Sequence, residues 1–305
     1  MNWFLGLLLL SLGSTSPGDK CPKFKECVFT CQTEECIDGI STLPTELQIT
    51  FWNCRDECRY RCMRKIVNEK IKNGEKYDQY FGKWPFIRFF GLQEIASVIF
   101  SLLNLVAHVI GYRKLKSHIP EYHEMKDLYH LNFLISVWTW FWSAVFHSRD
   151  TYWTEKLDYF SAMLMILFGD FYSVIKVFNI DGMWMQLGLM VGLLCFYIAH
   201  VSYLLFYSFD YQYNIIACSI AAIAFNSIWL AWFFKHRKRT YAFQIPIIVC
   251  FSFLITGFEI FDFPPIFLIF DAHSLWHAFT VPLVIMWYRF LVADIQYECT
   301  IVKNK

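Results

Sequence analysis

The chain has 305 residues, of which 56% are hydrophobic, 20% aromatic and only 17% charged, with a formal net charge of +1. So apolar a composition excludes an ordinary soluble domain, and so even a charge balance gives no basic excess for a nucleic-acid partner to rest on. The chain is expected to live in a bilayer.

The first apolar run, Trp3 to Leu12, is short of the roughly 20 residues a spanning helix needs, and small residues follow it at Gly13, Ser14 and Ser16. It reads as a signal sequence covering residues 1–18, although it lacks a Lys or Arg in its n-region, and an uncleaved anchor is the competing reading. Seven of the eleven cysteines then fall between Cys21 and Cys62, in a polar stretch that such a signal would deliver to an oxidising compartment. Cys27, Cys31 and Cys36 precede a turn-rich stretch with Asp38-Gly39 and Pro44. Cys54, Cys58 and Cys62 follow it at i,i+4 spacing. Two antiparallel helices would pair them as nested rungs, Cys27–Cys62, Cys31–Cys58 and Cys36–Cys54, with Cys21 left over. Another of the roughly 15 connectivities of six cysteines, or a cysteine-rich metal module, stays open at this point. Residues 19–83 are expected to form this small lumenal module, and no Asn-x-Ser/Thr sequon marks it for N-glycosylation.

Hydrophobic runs follow near 90–112, 128–148, 157–178, 183–206, 212–234, 243–263 and 273–294, which predicts an all-α membrane protein with a seven-transmembrane bundle over residues 84–295 and a cytosolic tail over 296–305. The stretch from Phe258 to Phe270 is broken by Pro264-Pro265 and reads as a re-entrant or interfacial connection. Arg113, Lys114, Lys116 and Lys126 lie between the first two spans, and Lys235, Arg237, Lys238 and Arg239 between the fifth and sixth, so those loops are expected to face the cytosol. The N-terminus is then lumenal and the C-terminus cytosolic.

On that topology Ser143, His147, Asp158, His273 and His277 converge at the lumenal face. Ser143 and His147 share one face of a helix, about 6 Å apart along its axis, and His273 and His277 repeat the spacing with two imidazoles, the arrangement by which one helical turn offers two ligands to a zinc ion. Each residue alone has a structural reading as well. Ser143 could bond back to its own helix, Asp158 could favour a helix N-terminus, Asp271 could cap a helix, and each histidine could be a neutral interfacial side chain. Asp170 and Arg289 could pair inside the bundle, although Arg289 could instead snorkel to the cytosolic surface, and His108 and His200 read as interhelical hydrogen-bonding groups.

The chain resembles the lipid-remodelling hydrolases that act after attachment of glycosylphosphatidylinositol (GPI) anchors, a branch of the CREST superfamily that also holds alkaline ceramidases and adiponectin-type receptors. The residues that carry this are the six cysteines, Gly82-Lys83-Trp84-Pro85-Phe86, Phe141-Trp142-Ser143 through Phe146-His147 with Arg149-Asp150, Glu155-Lys156 with Asp158-Tyr159, His200 to Leu204, Asp262-Phe263-Pro264-Pro265, and Asp271-Ala272-His273 with Trp276-His277. Phe81, Gln212 and Cys21 depart from the family pattern.

The resemblance implies a phospholipase A2-type hydrolase with Zn2+ held by His147, His273 and His277, with Asp158 handling the proton of the attacking water and Ser143 stabilising the oxyanion. A serine-nucleophile mechanism with His147 as base is the lesser alternative, since it leaves His273 and His277 without a role. The implied substrate is a GPI-anchored protein that loses its sn-2 acyl chain. The implied setting is the Golgi membrane, or the endoplasmic reticulum membrane for fungal members. A ceramidase-like amidase, or a non-enzymatic receptor or cargo adaptor, would differ by releasing sphingosine or by working without metal. Oligomeric state and acyl-chain preference are not legible.

Overall fold

The computed structural model describes residues 16–36 and 43–303, so most of the expected signal segment and the Asp38-Gly39 turn lie outside the described residues. Regular structure among the described residues is helical apart from three isolated β-bridges. The helices are α1 (Pro17–Lys20), α2 (Pro22–Glu35), α3 (Thr45–Ile49), α4 (Cys54–Lys72), α5 (Ile95–Lys116), α6 (Lys126–Ser148), α7 (Tyr152–Phe178), α8 (Met183–Ser202), α9 (Tyr211–His236), α10 (Gln244–Ile260) and α11 (Ala272–Lys303), with a π-helical turn at Tyr203–Tyr207 and a 3-10 turn at Thr240–Phe243.

The chain divides into two compact units, the first holding the residues up to Ala96 with His147–Arg149 and Asp262–Ala272. Its frame is α2 against α4. Asn53 caps α4 by accepting from the Asp56 amide at 2.9 Å, while Asp56 and Glu57 in the first turn and Lys70 and Lys72 in the last complement the helix dipole. Disulfides join Cys27 to Cys62, Cys31 to Cys58 and Cys36 to Cys54, with Cα–Cα separations of 5.8, 5.7 and 5.8 Å, the reverse-order pairing that antiparallel α2 and α4 require, with Cys36 at the C-cap of α2. Cys21 remains a free thiol. The covalent ladder sits on a small core of Phe24, Ile66, Val67, Tyr80 and Leu268.

The segment after α10 belongs to this core rather than to an extra helix. Ile87 donates to the Leu268 carbonyl at 3.0 Å, Tyr77 to the Pro265 carbonyl at 3.0 Å, and the Trp84 indole and the Gln79 amide to Asp262 at 2.7 and 2.9 Å. The Gly-Lys-Trp-Pro-Phe and Asp-Phe-Pro-Pro motifs are thus two sides of one docking. Arg149 lies over the Trp52 ring, 3.9 Å from its centroid, and bonds Asp56 at 2.6 Å, which gives a cation–π and an ion-pair reason for that motif residue.

The second unit comprises 97–146, 150–261 and 273–305. Thr151 and Thr154 form a reciprocal cap at the start of α7, Asn179 ends it in the left-handed region at φ 50°, and Asp210 caps α9 through the Tyr213 amide at 3.1 Å. The core is aromatic: Tyr112, Tyr129, Tyr172, Trp229, Trp232 and Phe290 pack with Leu115, Ile245, Leu291 and Ile295, and the Trp229 indole donates to Ser173 at 2.8 Å. His108 meets the Tyr288 hydroxyl at 3.2 Å and His200 the Tyr213 hydroxyl at 3.4 Å, both as expected interhelical contacts.

Among the described residues, six helices are long and apolar enough to cross a membrane: Ile95–Lys116, Tyr152–Phe178, Met183–Tyr207, Tyr211–His236, Thr240–Ile260 and Ala272–Thr300. The chain is therefore a multi-pass membrane protein. The expected span at 128–148 exists as the 23-residue α6, yet it is not among the six. Its aromatic and polar content explains this, with His130, Asn132, Ser136, Thr139 and Ser143 interleaved among Trp138, Trp140 and Trp142. The structure supports six of the seven expected spans.

The suggested Asp170–Arg289 pair is not formed. Asp170 is buried and Arg289 exposed, because depth along a helix says nothing about the face from which a side chain leaves it. The buried charges of this unit meet elsewhere, where fully buried Asp294 takes Lys176 at 2.9 Å, Arg239 at 3.3 Å and the Tyr241 hydroxyl at 2.6 Å, and Glu298 takes Lys176 at 2.6 Å.

Candidate metal centre

His273 and His277 lie in the first two turns of α11, immediately after buried Asp271, and their Nε2 atoms are 3.0 Å apart. Each ring is oriented through its other nitrogen. His273 Nδ1 meets Glu259 at 2.8 Å, and the second oxygen of that carboxylate accepts from the Tyr211 hydroxyl at 3.0 Å. His277 Nδ1 meets Ser101 Oγ at 3.3 Å. Asn104 on α5 fixes this turn of α11 by donating to the His277 carbonyl at 2.9 Å and to Thr280 Oγ1 at 3.0 Å, and the Trp140 and His277 rings form a T-shaped pair with centroids 5.5 Å apart.

Ser143 is buried on α6 and hydrogen-bonds Ser101 at 3.1 Å, so a continuous line runs from His277 Nδ1 through Ser101 to Ser143. One turn further along α6 is His147, 1% exposed. Its Nδ1 meets Glu94 at 2.6 Å, and Lys83 bonds the other oxygen of Glu94 at 2.7 Å. The end of α6 is clamped at the same place by backbone bonds from Glu94 to the His147 carbonyl at 3.0 Å and from Gln93 to the Ser148 carbonyl at 2.9 Å. Burial alone would raise the Glu94 carboxyl, but the Lys83 ammonium and the His147 ring bonded to it hold it well below the usual carboxylate range, so it stays ionised.

His147, His273 and His277 together form a possible metal-binding group, with ligand nitrogens within 4.8 Å of one another. The donor set suits zinc. Two imidazole nitrogens on a tetrahedral zinc lie about 3.3 Å apart, given Zn–N distances of about 2.0–2.1 Å, close to the Nε2 separation of the α11 pair. Ligating histidines commonly give their second N–H to a carboxylate, and a ring that donates from Nδ1 offers Nε2 as ligand. Glu94 and Glu259 supply those carboxylates for His147 and His273. Two other groupings, Cys36 with Cys54 and Cys58, and Cys31 with Glu35 and Cys58, draw on disulfide-bonded cysteines whose sulfurs are not thiolates, so the cysteine-rich metal module is set aside.

Asp158 lies in the second turn of α7, half-buried. The sequence reading missed Glu94, Glu259, Ser101 and Asn104. An acidic residue three positions after Gly91, and another at the end of a hydrophobic run, were visible, but nothing in either neighbourhood pointed to a histidine.

The chain matches the Per1-like family over residues 44–295. It belongs to that family. It is 36% identical over 300 residues to the GPI-specific phospholipase A2-like PGAP3 of Xenopus tropicalis, covering 96% of this chain and 95% of the relative. It is 38% identical over 306 residues to the Protein PER1 homolog of Schizosaccharomyces pombe, covering 97% and 92%, and 34% identical over 294 residues to the GPI-specific phospholipase A2-like PGAP3 of Homo sapiens, covering 94% and 92%. No solved structure matches. The family match spans Glu94, Ser143, His147, Asp158, Glu259, His273 and His277 of this Per1-like chain.

Proposed function

We propose that this chain is a GPI-anchor lipid-remodelling hydrolase that removes the sn-2 acyl chain from GPI-anchored proteins, releasing a fatty acid and a lyso-GPI. The observation that carries the reading is the histidine group with carboxylates behind two of its rings, in a family whose relatives are named GPI-specific phospholipase A2-like. His147, His273 and His277 would hold Zn2+, which when bound lowers the pKa of water toward 7 and polarises an ester carbonyl.

The residues divide the remaining work. Glu94, with Lys83 behind it, and Glu259 orient His147 and His273. With Nε2 of His277 on the metal, its Nδ1–H would donate to Ser101 and Ser101 in turn to Ser143, which would leave the Ser143 hydroxyl proton for the oxygen on which charge develops as the ester is attacked. Asp158 accepts the proton of the attacking water. Under the orientation given by the basic loops, the reaction takes place in the lumenal leaflet, where GPI-anchored proteins carry their lipid.

Mass spectrometry of GPI anchors from cells lacking the protein tests the reading. Diacyl anchors should accumulate, and the wild-type chain but not His147→Ala should restore the lyso species. Unchanged anchors, or release of sphingosine from ceramide by the purified chain, would contradict it.

A further inference from the structure

Arg289 is exposed on α11 about 7.5 Å along the axis before Asp294. It takes no part in the Asp294 network, which Lys176 and Arg239 already neutralise, and it has no ion-pair partner among the described residues. A guanidinium leaving a membrane-spanning helix toward the outside needs an acceptor from its surroundings. Beside it is a cleft of about 380 Å³ lined by Arg289 and Met286 of α11 and by Gln244 and Ile247 of α10.

The order of these four side chains is informative. Gln244 opens α10 and Ile247 lies one turn further in, while Met286 lies one turn before Arg289 on α11, so the two donors lie toward the level at which α10 begins and the two apolar side chains about one turn deeper. That is the profile of a phospholipid, with phosphate above and acyl chain beneath. The Gln244 amide and the Arg289 fork suit a phosphodiester, which offers acceptors only. Ile247 in the cleft and Phe243, next to Gln244 in the chain, are exposed, and exposed Lys235, Arg237 and Lys238 precede α10 at the same end, so the local field favours a lipid with net negative charge.

We propose that this cleft binds the headgroup phosphate of an anionic glycerophospholipid, with Arg289 and Gln244 donating to phosphate oxygens and Ile247 and Met286 packing on the first acyl methylenes. The site is separate from the histidine group and does not depend on the hydrolase reading.

Native mass spectrometry of the full chain released from detergent, titrated with phosphatidylserine, phosphatidylcholine or inorganic phosphate, tests it. One phosphatidylserine should be retained in preference to phosphatidylcholine, and phosphate alone should not bind. Arg289→Gln should weaken phosphatidylserine retention about tenfold or more, the usual scale for losing charge-assisted hydrogen bonds. Arg289→Lys should keep part of it, as a point charge in place of a fork. Ile247→Ser should weaken phosphatidylserine without creating a phosphatidylcholine preference. Equal retention of the two lipids, or phosphatidylserine retention unchanged in Arg289→Gln, would overturn the proposal. Were Arg289→Gln to fail to fold, unchanged retention in both Arg289→Lys and Gln244→Leu would do so.

Discussion

Around Asp294 each charge faces an opposite one: Lys176 bridges Asp294 and Glu298, Arg239 closes on Asp294, and His123 approaches Glu298 at 3.3 Å. Around His147, His273 and His277 the carboxylates stand on the Nδ1 side of two rings, and the three side chains gather like donors to one place. Both clusters are polar and largely buried, with His273 and Glu298 partly exposed, but the first is complete as it stands. It ties α7, the connection between α9 and α10 and the end of α11 together. The second suits an added cation, because three imidazole lone pairs repel one another unless something positive lies among them. Burial of a polar cluster therefore does not distinguish a lock from a site, whereas the side on which the counter-charges stand does.

The largest effect that would separate the two comes from the histidines. Replacing His147, His273 or His277 by Ala should remove both zinc and acyl hydrolysis while leaving the purified protein helical, as elemental analysis with circular dichroism would show. The Asp294→Ala variant should do the reverse, losing about 3–5 kcal/mol of stability by stranding buried cations, with zinc content unchanged in the protein that remains folded. A thermal unfolding series in detergent checks it. Loss of zinc in Asp294→Ala, or of stability alone in the histidine variants, would erase the distinction.

Within the site, Asp158→Asn should keep zinc and lower turnover by about 100- to 10,000-fold, the range for a positioned general base, as measured by lyso-lipid release. An active Asp158→Asn enzyme would reduce this residue to a helix-end carboxylate. Glu94→Gln should have a milder effect, weakening zinc affinity by about 10- to 100-fold in competition with a chelator, since it removes only the partner of a ligand. Ser101→Ala should be milder still, because the Ser101–His277 contact at 3.3 Å is the longest of the three Nδ1 bonds.

The parts of the fold that were legible in the sequence are those set by spacing along one helix. Cys54, Cys58 and Cys62 rise up one face of α4 and meet Cys36, Cys31 and Cys27 in reverse order, and His273 and His277 share a face of α11, because i,i+4 positions stack on any α-helix. What comes from between helices was not legible. Glu259 reaches His273 from the last turn of α10, Ser101 reaches His277 from α5, and Glu94 reaches His147 from just before α5, contacts fixed by helix rotation and packing, which leave no periodic mark. Of the two readings open for Arg289, the pair with Asp170 is not formed for a related reason, since their depths are similar while Asp170 is buried and Arg289 exposed. The α6 span was blurred by its own content: a helix carrying Ser136, Thr139, Ser143 and His147 among three tryptophans cannot also be uniformly apolar.

The central claim is that three imidazoles, and no sulfur, hold one zinc. X-ray absorption at the zinc edge of the purified protein tests it most directly. The account predicts about one zinc per chain with nitrogen scatterers at about 2.0–2.1 Å, their number falling on substitution of any one of His147, His273 and His277. A sulfur shell at about 2.3 Å, or full zinc with an unchanged nitrogen shell in all three variants, would contradict it.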